Sequence, residues 1–229
     1  MKPLFVISCP IDTYSGYGSR SRDLVKAIIE TSKYDVKILP QRWGGTPWNF
    51  IQDHQEEWGF LKDHFLDQPQ LPKQPEIWAQ VTVANEFQPI GKYNIGFTAG
   101  IETTITPPEF LEGVNRMDVT FVSSEHAKFS MMESSAQEVN QQTKEVIREI
   151  RVTKPVEVLF EGADIEKYKP LTAPCSMDIQ VKEDFAYLFV GHWLPGDIGE
   201  DRKNVGLLIK AFYETFKNKS KKPALILKT

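Results

Sequence analysis

Short apolar segments alternate with segments of helical periodicity along most of this chain, and this alternation constrains its fold more than any other feature. The apolar runs at 4–8, 77–83, 93–98, 118–122 and 156–160 have the length and composition of buried strands. Buried strands that alternate with helices are typical of a parallel sheet covered on both sides. We therefore predict an α/β fold, a Rossmann-like parallel sheet with helices on both faces.

The same pattern divides the chain of 229 residues into two parts. We predict an N-terminal Rossmann-like domain over 1–170, a linker over 171–184 and the start of a second, incomplete domain over 185–229. The second part has one strand–helix–strand pattern, which is too little to cover both faces of its own sheet. It must dock on the first domain or on a partner, or begin a larger domain.

Two stretches of the predicted first domain interrupt the alternation. Residues 41–75 carry three tryptophans and several prolines, and we interpret them as a long, partly helical excursion. The apolar spacing over 125–150 predicts two helices separated by a Gln-rich joint, with Ser123 or Ser124 capping the first of them.

A glycine loop, Ser15-Gly16-Tyr17-Gly18-Ser19, lies between the first predicted strand and the first predicted helix. Backbone N–H groups at a helix N-terminus attract anions, and glycine lets a phosphate come close. A tight turn without a ligand is the alternative. The acidic residue of a nicotinamide site is missing near Pro40-Gln41, and no Walker A motif occurs, so dehydrogenase and P-loop chemistry are disfavoured.

Other candidate residues follow later strands, at the sheet edge where open α/β folds bind ligands. Glu102 could hold a sugar hydroxyl or a catalytic partner, and Lys128, four residues after Ser124, could meet an anion; a helix-capping acid and a solvated lysine are equally good interpretations. The loop at 191–203 places Arg202 and Lys203 at a helix start, where cations are unfavourable unless an anion compensates them.

Composition excludes several classes of function. The chain has 27 Lys and Arg against 31 Asp and Glu, a net charge of −4, which argues against nucleic-acid binding and a basic membrane-docking face. No apolar run is long enough to span a bilayer. Cys9 and Cys175 suggest neither a disulfide framework nor a thiolate metal site, so we expect a reduced, cytoplasmic protein. The scattered histidines and the pair Asp164 and Glu166 give little support for a metal centre.

In their order along the chain, five segments resemble the GT-B glycosyltransferases of the large retaining family 4. The segments are the glycine loop at 15–19; 94–106 with Glu102-Thr103; Phe121-Val122-Ser123-Ser124 with Lys128; Val158-Leu159-Phe160-Glu161-Gly162-Ala163-Asp164 with Tyr168 and Pro170; and Phe189-Val190-Gly191 with Arg202-Lys203-Asn204. Together they cover most of the chain outside 41–75.

The resemblance implies a hexosyltransferase-like enzyme that transfers a sugar from a nucleotide-sugar donor to a glycan, lipid or protein acceptor. It also implies that the reaction retains the configuration of the sugar and needs neither a metal nor another cofactor. It implies the following roles: Glu102 as the catalytic residue; Gly16, Tyr17, Gly18, His192, Arg202 and Lys203 at the donor diphosphate; and Ser124, Lys128 and Glu161 in the acceptor cleft. The family's acidic donor-binding segment is absent, so the resemblance also implies a truncated second domain. We expect weak or no transfer without a missing half or a homo-oligomer.

A non-catalytic alternative keeps the fold and uses the Trp-rich region 41–78 to bind a glycan or a protein. Packing of those tryptophans onto the sheet is the simpler interpretation. A phosphorylase of similar architecture is a third reading, for which the sequence holds nothing specific.

Overall fold

The computed structural model describes residues 2–66, 68, 70, 71, 73–166, 168–170, 172, 181–193 and 195–229. It divides into two compact units, residues 1–164 and 165–229. The predicted linker at 171–184 lies largely outside the described residues, as do Pro69 and Pro72 of the predicted excursion.

The first unit is built on a six-stranded parallel sheet with the order β2-β1-β3-β4-β5-β8. The strands are β1 (Leu4–Cys9), β2 (Asp35–Pro40), β3 (Ile77–Val81), β4 (Tyr93–Thr98), β5 (Val119–Val122) and β8 (Val156–Val158). The predicted α/β class is therefore confirmed, with strand ends that differ from the predicted ones by one or two residues. The strand β1 lies between β2 and β3. The connection from β1 to β2 and the connection from β2 to β3 therefore run toward opposite edges of the sheet.

Side chains of β1 point alternately into two cores, one on each face of the sheet. Phe5 and Ile7 pack with Val25 of helix α1 (Gly16–Glu30). Leu4 and Val6 belong to the core on the other face, which contains apolar residues of helices α4 (Pro108–Asn115) and α5 (Glu125–Glu133). Both faces are thus covered, and this accounts for the continuous apolar runs of the strands.

The excursion after β2 is partly helical. It contains the short helices α2 (Phe50–Asp53) and α3 (Gln55–Trp58) and a 3₁₀ helix over Gly59–His64. Ile51 and Leu61 are buried in the same core as Val25. Phe65 then forms one parallel bridge with Ile38, beside the outer edge of β2.

The prediction of two helices over 125–150 is wrong in its second half. After α5 the chain forms an antiparallel hairpin of β6 (Ser135–Val139) and β7 (Val146–Arg151). The sequence Val-Ile-Arg-Glu-Ile-Arg is rich in β-branched residues, which favour a strand. The turn is built by Asn140, whose side-chain oxygen accepts hydrogen bonds from the backbone N–H groups of Gln142 and Thr143.

The second unit contains the predicted strand–helix–strand pattern. Strands β9 (Ala186–Val190) and β10 (Ala224–Lys228) pair in parallel, and helix α6 (Val205–Phe216) connects them. Tyr187 of β9 faces the helix, with ring-centroid distances of 6.1 Å to both Phe212 and Phe216. Within 181–193 and 195–229, Val205 is the one buried apolar side chain.

Candidate functional site

The candidate site lies at the carboxyl edge of the first unit's sheet, where the strand order changes direction. The chain passes from β1 to β2 on one side of this position and from β3 to β4 on the other. The loops that follow β1 and β3 therefore diverge. Open α/β sheets bind their ligands in the crevice at this position. The glycine loop follows β1, and the loop carrying Glu102 follows β4.

The glycine loop ends in a capped helix N-terminus. The Ser15 hydroxyl accepts a hydrogen bond of 2.9 Å from the Gly18 N–H, and it also lies 2.8 Å from the Thr13 hydroxyl. The protein thus satisfies one of the loop's backbone donors itself. Among the described residues, none accepts a hydrogen bond from the N–H of Gly16 or Tyr17. These two donors at the positive end of α1 are the part of the loop that can meet an anion.

Gly16 and Gly18 have different structural roles. Gly16 is exposed, and a Cβ atom placed on it would meet nothing within 4 Å. Gly18 is buried, and a Cβ atom there would lie 2.4 Å from the Thr13 carbonyl oxygen and 2.7 Å from its hydroxyl. Gly18 is therefore required by packing, because its neighbours are backbone and a hydrogen-bonded side chain.

Tyr17 joins the glycine loop to two other segments. Its phenol oxygen lies 3.2 Å from the Thr98 hydroxyl and accepts a hydrogen bond of 3.0 Å from the Ala99 N–H. Its ring stacks on Trp43 with 4.0 Å between centroids. The side chain thus fixes the start of α1 against the end of β4 and the excursion, while the backbone N–H of Tyr17 has no acceptor among the described residues.

A buried arginine, Arg22, which the sequence reasoning missed, binds the backbone just before the glycine loop. Arg22 donates hydrogen bonds of 2.8 and 3.0 Å to the carbonyls of Ile11 and Thr13, and its guanidinium lies 3.5 Å from the centroid of the Phe50 ring. Burial lowers the pKa of Arg22 to about 10 and raises the pKa of the neighbouring Cys9 thiol to about 12. Arg22 is therefore charged and Cys9 is an uncharged thiol at neutral pH.

A second missed arginine links the loop to the segment after β8. Arg20, the fifth residue of α1, lies 3.5 Å from the Glu161 carboxylate and donates a hydrogen bond to the Leu159 carbonyl. The structure thus places predicted cleft residue Glu161 beside the glycine loop. Its partner is separated from it by 141 positions, so no local pattern in the sequence could reveal the pair.

The other predicted residues of the first unit occupy separate places along the same edge. Ser124 caps α5, and its hydroxyl accepts a hydrogen bond from the Ala127 N–H. Lys128 forms an ion pair of 2.8 Å with Glu157, whose negative charge balances that of the ammonium group. Glu102 is exposed in the loop between β4 and α4. The predicted capping role of Ser124 is confirmed, and the functional roles of these three residues stay predictions.

The remaining predicted residues belong to the second unit. His192 is exposed after β9, and Arg202 and Lys203 precede α6. The buried Asp201 accepts a hydrogen bond of 3.0 Å from the Lys203 backbone N–H, which shapes this loop.

Tryptophans of the excursion and of β3 make packing contacts. Trp78 is buried in the core, and Trp58 lies near the cations of Arg22 and Lys26, at 6.0 and 5.8 Å. Trp48 faces the guanidinium of Arg42 at 4.4 Å, and Trp43 is half-buried on Tyr17. These contacts agree with the packing interpretation, and a glycan- or protein-binding module stays a prediction.

Comparisons with protein-family models, curated proteins and solved structures give no match to this chain. None of the helices in the described ranges combines the length and apolar character that crossing a membrane requires. In the same ranges, no group of three or more His, Cys, Asp and Glu side chains is arranged to hold a metal ion.

Proposed function

We propose that this chain provides the phosphate-facing wall of a glycosyltransferase that uses a nucleotide-sugar donor. The observation that carries the proposal is the pair of unpartnered N–H groups of Gly16 and Tyr17, at a helix N-terminus and at the point where the strand order changes direction. Open space at Gly16 lets a diphosphate approach the backbone.

The chemistry follows from where charge develops. Breaking the bond between the sugar and the diphosphate creates an oxocarbenium-like sugar and a leaving group with growing negative charge. Fixed N–H donors lower the energy of that leaving group without reorganising, so they act most strongly in the transition state. Arg22 holds the carbonyls behind the loop in place and thereby keeps the donors oriented.

The resemblance assigns complementary roles to the other predicted residues. Glu102 contacts the reacting sugar, and Ser124, Lys128 and Glu161 line the acceptor side of the cleft. In the second unit, His192, Arg202 and Lys203 neutralise the departing diphosphate. The acceptor is a glycan, a lipid or a protein, and the reaction proceeds with retention and without a metal.

Calorimetric titration of the chain with nucleoside diphosphates and with pyrophosphate tests the donor assignment. Gly16→Ala places a methyl group where the phosphate approaches, and Gly45→Ala is the matched control because it also has open space around it. Since a hydrogen bond to a charged group is worth about 1.5–3 kcal/mol, we expect at least tenfold weaker binding for Gly16→Ala and wild-type binding for Gly45→Ala. Unchanged stability of both variants must accompany this result.

Two outcomes would contradict the proposal. Wild-type protein that binds neither pyrophosphate nor any nucleoside diphosphate removes its basis. Equal binding by wild-type and Gly16→Ala protein places the anion elsewhere on the chain.

A further inference from the structure

One arginine fastens the segment 159–164, here named the strap, to the N-terminal part of α1. Arg20 makes both contacts, the ion pair with Glu161 at 3.5 Å and the hydrogen bond to the Leu159 carbonyl. The Arg20 side chain is only 15% exposed, whereas that of Glu161 is 56% exposed. The cation is therefore held in place by its surroundings, and the carboxylate is the partner that can move away.

Two residues in the middle of the strap, Phe160 and Gly162, have little packed around them. The strap's first residue, Leu159, continues the sheet through a hydrogen bond of 2.9 Å from its N–H to the Val122 carbonyl. Beyond it Phe160 is 73% exposed, and Gly162 has open space around it. A segment with so little burial opens locally at low cost once its side-chain attachment is lost.

The position of Arg20 makes Glu161 a competitor of any anion bound at the glycine loop. Arg20 lies one helical turn after Gly16, and side chains on a helix tilt toward its N-terminus, where the N–H groups of Gly16 and Tyr17 are. A guanidinium that pairs with a carboxylate is equally suited to a phosphate oxygen, which carries more charge. Both anions need the same cation, so binding of one weakens the attachment of the other.

We propose that the strap is a latch on the candidate site, closed by Arg20 with Glu161 and released when a phosphate anion takes over the guanidinium. The anion's class rests on the proposed function, whereas closure by Arg20 does not. The strap ends at Asp164, the last residue of the first unit.

Hydrogen exchange measured by mass spectrometry on the full chain tests the latch. Arg20→Met keeps the apolar part of the side chain and removes both contacts, so we expect exchange of the Leu159 amide, which is hydrogen-bonded to the Val122 carbonyl, to accelerate at least tenfold. Glu161→Gln removes only the ion pair at an exposed position, and its acceleration is smaller. Lys92→Met, which breaks an ion pair with Glu76 at the opposite edge of the sheet, is the control and leaves the strap at its wild-type rate.

Pyrophosphate at saturating concentration tests release. Exchange of the Leu159 amide should accelerate in wild-type protein and stay unchanged in Arg20→Met, where no guanidinium remains for the two anions to share. Wild-type exchange rates in Arg20→Met and Glu161→Gln would overturn the latch. If calorimetry shows that pyrophosphate binds and exchange of the wild-type strap does not change, release of the latch by phosphate is overturned. If pyrophosphate does not bind at all, release and the proposed function are both overturned. Closure of the latch is then decided by the two variants alone.

Discussion

Glu76 shows how one side chain can fasten the opposite edge of the sheet. Its carboxylate accepts a hydrogen bond of 2.8 Å from the N–H of Leu4, at the start of β1, and lies 3.4 and 3.5 Å from the ammonium groups of Lys73 and Lys92. The backbone hydrogen bond, more than the two lysines, lowers the pKa of Glu76 from 4.5 to about 2. Its stabilising effect therefore depends on the charged form.

This shift gives a prediction for Glu76→Gln. A carboxyl whose pKa is lowered in the folded state stabilises the protein fully above its unfolded value, and the effect is lost as pH falls toward the folded value. The variant should be less stable than wild type at pH 7, and the difference should shrink between about pH 4.5 and 2. Urea denaturation at several pH values measures it, and a difference that persists at the acidic end would contradict the assignment.

The hairpin β6–β7 is an element for which sequence reasoning predicted the wrong structure. Buried strands such as β1 and β4 were predictable because burial on both faces leaves a continuous apolar run. The hairpin lies outside that sheet, and its alternation is obscured by polar residues around the turn at Asn140. Its contacts with α4 are tertiary, and tertiary contacts override local helical spacing.

Asn115 attaches this hairpin to the end of α4. Its amide donates a hydrogen bond of 2.7 Å to the Arg151 carbonyl, and its oxygen accepts one of 2.7 Å from the Thr153 N–H. Asn115→Ala removes both, and we expect a loss of about 1–2 kcal/mol in the free energy of unfolding. Gln142→Ala, at an exposed position in the turn, is the control, and equal urea midpoints for the two variants would refute this role.

At the scale of the whole molecule, the candidate site was only partly predictable. The glycine loop is contiguous in the sequence, so its place after β1 and before α1 follows from periodicity alone. Arg20 and Arg22 act through partners that folding brings to them, a distant carboxylate for one and carbonyl oxygens for the other. Every residue has a backbone carbonyl, so residue identity does not indicate which carbonyl accepts a hydrogen bond from an arginine. Composition and spacing could therefore not reveal these roles.

The two units should also differ in stability. The first unit has a core on each face of its sheet, whereas in the described part of the second unit Val205 is the one buried apolar side chain. Because protection from exchange follows burial, we expect the amides of β9 and β10 to exchange at least tenfold faster than those of β1 and β3. Hydrogen exchange at neutral pH measures this, and equal protection of both pairs of strands would contradict it.

The Ile38–Phe65 bridge has a consequence for self-association. Unpaired backbone groups at a sheet edge can recruit strands from other molecules and so start aggregation. On the β2 side, the Leu66 N–H donates to the Ile38 carbonyl at 3.0 Å and occupies part of that edge, while at the other end β8 is only three residues long. An engineer who shortens the excursion to simplify this protein would therefore uncover a sheet edge that can recruit strands from other molecules, in addition to removing Ile51 and Leu61 from the core.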